Sequence, residues 1–227
     1  MRAAVVVLAA GSGTRVGAEL NKVLLPLAGV PVVARSVRTA RAAPGVACVV
    51  LVVRDGEQDA VREAVEPHLD DQVPEVAMVV GGETRHLSEW AALSLLAPAI
   101  DAGDLDVVAM HDAARPLASV ALYADVLRTA ELVGGAIPVE RLDDLVTEDG
   151  SPLSDVLVGV QTPQAFRAGD LLAAHRAAAA EGFEATDTAG ILTAYADLAV
   201  AAVESTGRNL KLTVADVYAV AEALIAG

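Results

Sequence analysis

The chain has 227 residues, of which 54% are hydrophobic, and its formal net charge at pH 7 is −15. This length suits one large domain or two small ones, and the acidic balance argues against nucleic acid as a partner, because backbone phosphates need a basic surface. No apolar run reaches the ~18 residues that span a bilayer, and the opening residues lack the pattern of a secretory signal peptide. The single Cys48 has no partner for an internal disulfide. We therefore expect a cytoplasmic protein with a sizeable core.

Short apolar runs alternate with helical patterns over the first 140 residues. The runs predict strands at 3–10, 46–53, 75–80, 105–110 and 134–139, and their continuous hydrophobicity is typical of strands covered on both faces. The helical patterns lie at 31–43, 57–69, 84–100 and 119–133. Strand–helix alternation predicts an α/β, Rossmann-like fold, in which a mostly parallel sheet is flanked by helices.

The pattern changes near residue 140. Short alternating segments surround the turn signal "EDGSP" at 148–152, so residues 138–160 predict a protruding β-hairpin arm within one domain of residues 1–227. Helices at 168–181, 187–197 and 213–226 and a strand at 198–204 follow. Because an isolated hairpin is unstable in water, we expect the arm to pair with the same arm of a second subunit in a homodimer. The apolar positions available for this pairing are Leu142, Leu145, Val146, Leu153, Val156 and Val158.

A glycine-rich loop, "LAAGSGTR" at 8–15, follows the first predicted strand. Its small residues would let backbone N–H groups approach phosphate. A dinucleotide fingerprint fails because Val16 replaces the third glycine, and a Walker A loop fails because Val23 follows Lys22. A NAD(P) dehydrogenase is therefore disfavoured, and Arg15 and Lys22 are better explained as two cations for a triphosphate. The chain has fourteen arginines but only two lysines, Lys22 and Lys211, so both lysines stand out as placed.

A second motif, "VVAMHDAARP" at 107–116, puts His111 and Asp112 at the C-terminal end of a buried strand. Ligands of open α/β sheets bind at this edge. A carboxylate such as Asp112 suits Mg²⁺ that bridges phosphates.

Taken together, the motifs resemble those of the 2-C-methyl-D-erythritol 4-phosphate (MEP) cytidylyltransferase family, including its relatives that act on ribitol 5-phosphate. The motifs run in order along the whole chain: "LAAGSGTR", "GGETRHLS" (81–88), "HDAARP" (111–116), "QTPQAF" (161–166), "TDTA" (186–189, for the family's T-D-[DE]-A) and "NLKLT" (209–213). Both lysines fall on motif positions. The resemblance implies transfer of CMP from CTP to the phosphate of MEP, with a CDP-polyol and pyrophosphate as products and Mg²⁺ or another divalent cation as cofactor.

The resemblance also implies a role for each matching residue. The triphosphate and cytosine would be held by Leu8, Ala9, Ala10, Gly11, Gly13, Thr14 and Arg15, with Arg15 and Lys22 stabilising the transition state. Gly82, Glu83 and Ser88 would contact base and ribose, Gly81 and Arg85 would shape the turn, and Asp112 would bind the metal beside Ala113 and Arg115. Thr186 and Lys211 would hold the acceptor phosphate, so Lys211 joins Arg15 and Lys22 as a catalytic residue. His111 is expected to be a structural hydrogen-bonder, since the attacking phosphate is already anionic.

Three departures from the family pattern concern mainly the acceptor. The family's proline–lysine–glutamine is Asn21–Lys22–Val23 here, its aspartate–threonine pair in the arm is Asp144–Leu145, and an arginine of the arm is Ser154. Either Arg141 substitutes for that arginine and MEP remains the acceptor, or the acceptor is another polyol phosphate, such as ribitol 5-phosphate, or a phosphonate. A non-catalytic nucleotide-binding relative is a further alternative.

Overall fold

The computed structural model describes residues 1–11, 21–69, 74–143, 145–151, 157–183 and 188–227. Its helices are α1 (Val32–Ala42), α2 (Gln58–Val65), α3 (Arg85–Asp101), α4 (Val120–Val133), α5 (Ala168–Glu181), α6 (Thr188–Tyr195) and α7 (Ala215–Ala226). Its strands are β1 (Ala3–Leu8), β2 (Pro26–Leu27), β3 (Val30–Pro31), β4 (Val46–Val53), β5 (Glu75–Val80), β6 (Val107–Asp112), β7 (Gly135–Leu142), β8 (Leu157–Val160), β9 (Gln164–Arg167) and β10 (Val200–Glu204).

The main sheet has the order β10-β7-β9-β6-β1-β4-β5, and β8 pairs with β7 outside this path. The centre, β6-β1-β4-β5, is parallel, whereas β9 is antiparallel to both β6 and β7. The predicted α/β fold with a mostly parallel sheet is therefore confirmed. None of the helices among the described residues is both long and apolar enough to cross a membrane.

Two hydrophobic clusters cover the two faces of this sheet. Along β1, Ala3, Val5 and Val7 belong to one cluster, and Ala4 and Val6 belong to the other. This alternation follows from the period of two along a strand, and it explains why β1 is apolar at every position. The first cluster includes side chains of α1 and α4, and the second includes side chains of α3 and α5.

Three local expectations need correction. The helix predicted over 57–69 ends at Val65 and is followed by a 3-10 turn over Glu66–His68, because Pro67 has no N–H to continue α-helical bonding. The short antiparallel pair β2–β3 and the strand β9 were not predicted. A strand of two residues is too short to show an alternating pattern. The residues of β9 follow Pro163 in QTPQAF, which was recognised as a family motif and not as a strand.

The arm predicted at 138–160 is seen where the structure describes it. Residues Val139–Leu142 of β7 pair antiparallel with Leu157–Val160 of β8. The turn between them is closed by the Thr147 N–H, which donates to the Ser151 carbonyl over 2.8 Å. The strand β7 lies in the main sheet at its N-terminal end and leaves it at its C-terminal end, so the hairpin extends the sheet outward.

Candidate active site

The carboxyl ends of β1, β4 and β6 bring the glycine loop next to Asp112. Leu8 is in register with Val52 on one side and with Asp112 on the other. The Ala9 N–H donates to the Val52 carbonyl over 2.8 Å, and the Ala113 N–H donates to the Leu8 carbonyl over 3.0 Å. Parallel strands that end together thus place the start of the loop and the HDAARP motif at one edge, as the sequence predicts.

The Gly81–Gly82 turn lies beside the same loop. A Cβ added to Gly81 would lie 2.6 Å from Ser88 Oγ, 2.9 Å from Val52 Cγ1 and 3.0 Å from the Ala10 Cβ, so glycine allows this close approach to the loop. The Ser88 hydroxyl donates to the Gly82 carbonyl over 3.3 Å, and Thr84 caps α3 by accepting from the Leu87 N–H over 3.2 Å. The resemblance assigns base and ribose contacts to Gly82, the exposed Glu83 and Ser88. These residues therefore lie together, in the turn before α3 and in its first helical turn.

Asp112 is the electrostatic centre of the site. Its carboxylate is 9% exposed, and its two oxygens bind two cations: Arg85 Nη1 contacts Oδ1, and Lys211 Nζ lies 2.7 Å from Oδ2. Burial raises the pKa of the Asp112 carboxyl, but Arg85 and then Lys211 outweigh burial and hold this pKa well below its usual range. The carboxylate is therefore ionised at neutral pH.

Arg85 joins Asp112 to a second, more deeply buried carboxylate. Its Nε donates to Glu89 Oε1 over 2.8 Å, one turn later on α3. The Thr188 hydroxyl of α6 donates to the same oxygen over 2.9 Å. Burial raises the pKa of the Glu89 carboxyl despite the opposing effect of Arg85. Burial lowers the pKa of Arg85, but Asp112 and Glu89 more than offset this effect, so its pKa is raised.

The NLKLT segment is tied to the HDAARP motif by backbone contacts on either side of Lys211. Arg115 Nη1 donates to the Asn209 carbonyl over 2.7 Å, and the Leu212 N–H donates to the Ala114 carbonyl over 2.8 Å. These bonds present Lys211 to Asp112. Burial lowers the pKa of Arg115, whose buried Nε has no hydrogen-bond partner.

Thr162 of the TPQ motif is hydrogen-bonded to both the NLKLT segment and the HDAARP motif. The Asn209 side-chain amide donates to the Thr162 carbonyl over 3.0 Å, and the Asp112 N–H donates to the Thr162 hydroxyl over 3.0 Å. Three motifs that are separate in sequence therefore form one hydrogen-bonded unit under the site.

His111 is fully buried and faces away from the charged cluster. Its Nδ1 lies 3.3 Å from the Thr162 hydroxyl, and its ring packs 5.3 Å from that of Tyr123. Burial lowers the pKa of His111 to about 4, so the ring is neutral at pH 7. A structural role was predicted for this histidine, and its hydrogen bond and burial agree with that role.

The exit of the glycine loop is held by a group that we name the loop clasp: Asn21, Arg54 and Glu57. The Asn21 amide donates to the Ala9 carbonyl over 3.0 Å and to Glu57 Oε2 over 2.7 Å. Arg54 pairs with Glu57 at 3.1 Å and donates to the Gly11 carbonyl over 2.8 Å. The clasp joins residue 11 to residue 21, and it places the half-buried Lys22 in the 3-10 turn that follows.

Not all of the predicted site residues come together. Arg141 lies on the exposed arm and pairs with Asp143 at 3.6 Å, and its recorded ion pair among the described residues is therefore not with the Asp112 cluster. Its role as a ligand of the acceptor phosphate, in the same or a neighbouring subunit, stays a prediction. Five predicted residues, Gly13, Thr14, Arg15, Ser154 and Thr186, lie outside the described residues, as does Asp144.

Sequence reasoning missed Glu89, Thr162 and the three residues of the loop clasp. Glu89 lies one residue after the GGETRHLS motif, and Asn21 directly precedes Lys22, so proximity to a motif was the available signal.

A cleft of about 890 Å³ lined by Arg35, Arg38, Arg41 and His68 lies elsewhere, on α1 and the second 3-10 turn. It contains none of the nucleotide-site residues, so we place the candidate site at the sheet edge.

Comparison with known proteins identifies the family. The model of the family described as IspD, 2-C-methyl-D-erythritol 4-phosphate cytidylyltransferase, matches residues 3–227. The chain belongs to this family. The cytidylyltransferase of Pelotomaculum thermopropionicum is 38% identical over 232 residues, which cover 99% of this chain and 94% of the relative.

Solved structures of similar proteins agree with the IspD assignment. The MEP cytidylyltransferase of Thermus thermophilus matches with a TM-score of 0.73 and 28% identity, and the match covers 100% of both chains. The 4-diphosphocytidyl-2C-methyl-D-erythritol synthase of Anaerococcus prevotii matches with a TM-score of 0.81 and 22% identity, over 100% of this chain and 96% of the other. The second likeness supports the fold alone. In the family motif T-D-[DE]-A, the third position is acidic, whereas this chain has Thr188.

Proposed function

We propose that the protein transfers CMP from CTP to the phosphate of 2-C-methyl-D-erythritol 4-phosphate. The observation that carries this proposal is the meeting of Asp112, Arg85 and Lys211 at the edge where the glycine loop begins, in a chain of the IspD family. An oxygen of the acceptor phosphate attacks the α-phosphorus of CTP. The bond from that phosphorus to the bridging oxygen breaks, and pyrophosphate leaves with the electron pair.

The cations stabilise the charge that develops during this step. Arg15 and Lys22 act on the β- and γ-phosphates, and Lys211 acts on the acceptor phosphate. Fixed positive groups favour the transition state because they need no reorganisation when charge accumulates on the leaving group. No general base is required, in keeping with the neutral, buried His111.

A divalent cation, most simply Mg²⁺, fits the donor set. Asp112 offers one ionised carboxylate, and Mg²⁺ in nucleotide enzymes is commonly held by one or two carboxylates together with substrate phosphates. Among the described residues there is no group of three or more histidine, cysteine or acidic side chains that could hold a metal by itself. The bound ion would neutralise phosphate charge, and Asp112 would be its protein ligand.

The experiment that tests the function is pyrophosphate release from CTP with a panel of acceptors: MEP, ribitol 5-phosphate and a phosphonate analogue. We expect turnover with MEP. Turnover with another acceptor alone would assign the chain to the same chemistry on that acceptor. CTP binding without turnover on any acceptor would instead favour the non-catalytic relative.

The same assay tests the role of the loop cations. We expect Lys22→Ala and Arg15→Ala each to lower kcat by about two to four orders of magnitude, because each removes a preorganised positive charge. The exposed Arg38→Ala, outside the site, serves as the control. Near-normal rates in both loop variants would contradict the assignment.

We further propose that the arms of two subunits pair in a homodimer. Support comes from the apolar side chains that the arm exposes, with Val146 61%, Val160 50% and Leu142 42% exposed. An isolated hairpin with such a surface gains stability by covering it. In a dimer, Arg141 could reach the acceptor site of the neighbouring subunit.

The lone Cys48, half-buried and with its pKa raised by burial, suits a reducing compartment such as the cytoplasm.

A further inference from the structure

Glu89 is a charged residue that the proposed mechanism does not use. Its side chain is 1% exposed, yet it carries a carboxylate into the packing between α3, α5 and α6. Its Oε1 accepts from Arg85 Nε and from the Thr188 hydroxyl, while Oε2 lies 3.7 Å from His175 Nε2. A buried carboxylate is costly unless it is paired, and an apolar residue at such a position often gives equal or greater stability.

We infer that Glu89 is a positioning residue for the cytidylyl transfer, and that it supplies from α3 the carboxylate that the family motif carries at the position of Thr188. The inference rests on the proposed function. Glu89 acts through Arg85, whose guanidinium spans Glu89 at Nε and Asp112 at Nη1.

The hydrogen bonds that Glu89 accepts support this assignment. The Thr188 hydroxyl and Arg85 Nε converge on one oxygen, at 2.9 and 2.8 Å, so an acidic side chain at 188 would point at the same place as the Glu89 carboxylate. Thr188 is itself fully buried. Glu89 thus provides from α3 the negative charge beside Arg85 that an acidic side chain at 188 would provide from α6.

The balance of charges around Arg85 explains the role of the Glu89 carboxylate. Among the described residues, the ion pairs of the cluster join two carboxylates, Asp112 and Glu89, to Arg85 and Lys211, and Arg115 lies close enough to interact with Asp112. Without Glu89, Asp112 is the remaining ionic partner of Arg85 within the described part of the chain, so Arg85 would compete more strongly with a metal for that carboxylate. Glu89 thus fixes the direction of the guanidinium and weakens its hold on Asp112.

The test compares Glu89→Gln with the wild type in pyrophosphate release at varied Mg²⁺ concentration. We expect kcat to fall about ten- to a hundredfold, as for outer partners of metal ligands, and the Mg²⁺ concentration for half-maximal rate to rise. Glu63→Gln, an exposed change on α2, is the matched control. A wild-type kcat and an unchanged Mg²⁺ requirement in Glu89→Gln would overturn the inference.

A double variant that exchanges the residues at 89 and 188 separates a positioning role of Glu89 from a role in folding. Glu89→Thr alone is expected to lose activity, and the double variant Glu89→Thr with Thr188→Glu is expected to recover to within about threefold of the wild type. Recovery of the melting temperature without recovery of kcat would also overturn the inference. Should Glu89→Thr fail to fold, Glu89→Asp provides the second measurement, with the same two outcomes.

Failure of the proposed function would be recognised separately. A wild-type chain that releases no pyrophosphate with any acceptor contradicts the function and leaves the role of Glu89 to be judged by binding. Calorimetry of CTP with Mg²⁺ should then show weaker binding in Glu89→Gln than in Glu63→Gln, and equal binding in the two variants would refute the inference.

Discussion

Lys211 and Asp112 form an ion pair at the edge where we propose that the substrates bind. Lys211 is 41% exposed, whereas Asp112 is nearly buried, so the lysine is the partner that can move. The proposed acceptor phosphate would offer Lys211 a second anion, and the proposed divalent cation would offer Asp112 a third positive partner besides Arg85 and Lys211. The pair therefore keeps the carboxylate ionised until both substrates are present.

The loop clasp gives a prediction for a residue that departs from the family pattern. Asn21→Ala removes the donor to Ala9 and Glu57, and each buried group left without a partner costs about 1–3 kcal/mol. We expect the KM for CTP to rise about tenfold, since roughly 1.4 kcal/mol corresponds to a factor of ten. Steady-state kinetics at saturating acceptor provides the measurement.

Two further variants sharpen that test. Asn21→Asp places a carboxylate against Glu57 and should weaken CTP binding more than Asn21→Ala does. Gln58→Ala, one residue after Glu57 and outside the clasp, should leave the KM for CTP unchanged. An unaltered KM in both Asn21 variants would show that the clasp does not hold the loop.

At the level of elements, the turn before α3 depends on two glycines for different contacts. A Cβ on Gly82 would lie 2.3 Å from the Leu87 Cβ, which is fixed to the helix backbone and cannot swing away. Gly82→Ala should therefore displace the turn, lower stability by about 1–3 kcal/mol and reduce CTP binding. Thermal unfolding and CTP calorimetry measure the two effects.

Gly169 is the matched control for this substitution. It lies in the first turn of α5, and a Cβ there would meet no atom within 4 Å. Since alanine favours a helix by about 1 kcal/mol over glycine, Gly169→Ala should leave activity unchanged and raise stability slightly. If both variants behave alike, the steric account of Gly82 is wrong.

The arm gives a second prediction at this scale. Val160→Asp puts a charge on β8 where we propose that two arms meet. Both subunits carry the change, so two side chains lose their burial at about 1.5–3 kcal/mol each, and we expect the dissociation constant of the dimer to rise by at least about a hundredfold. Analytical ultracentrifugation over a concentration series measures it.

An exposed leucine elsewhere supplies the control for the arm. Leu132 on α4 is 71% exposed and lies outside the arm, so Leu132→Asp should not alter self-association. A wild-type protein that is monomeric at all concentrations would refute the proposed dimer outright.

The elements that could be predicted from the sequence are those with a strong local pattern. The continuous apolar runs of β1 and β4 and the N-capped helices α3 and α4 each carry their signal within their own residues. β9 is different, because its place between β6 and β7 depends on pairing with residues 107–110 and 135–136. No local pattern encodes that insertion.

The same distinction holds for the site. Asp112 and Lys211 could be located because a motif and a rare residue type marked them. The connection from Asp112 through Arg85 to Glu89 and Thr188 could not, because it joins α3 to α6 across 99 residues. Long-range polar contacts between ordinary residue types leave no trace in a single sequence.

For the whole molecule, two buried histidines predict the response of stability to acid. Burial lowers the pKa of His111 and of His175 to about 4, and a neighbouring His86 adds to the effect on His175. The unfolded chain takes up these protons near pH 6.5 and the folded chain only near pH 4. The free energy of unfolding should therefore be highest above pH 6.5 and fall as the pH drops from 6.5 to 4, by up to about 3 kcal/mol per histidine.

Urea unfolding at several pH values between 7.5 and 4 measures this dependence. Glu89, whose pKa is raised by burial, acts in the opposite direction in the lower part of the range, because the folded state binds its proton first. His175→Gln should flatten the profile, while Arg38→Gln, a change at an exposed position of α1, should leave it unaltered. Stability that rises on acidification from pH 6.5 would contradict the assignment.

The helix α7 contacts the turn that carries Lys22. The Tyr218 hydroxyl donates to the Lys22 carbonyl over 2.8 Å across 196 residues of sequence, and Glu222 accepts from the Ala28 N–H over 3.3 Å. During synthesis, these two bonds cannot form until α7 has emerged from the ribosome. Lys22, for which we propose nucleotide binding, is thus secured only after α7 has been made, so a nascent chain that lacks α7 should not trap CTP.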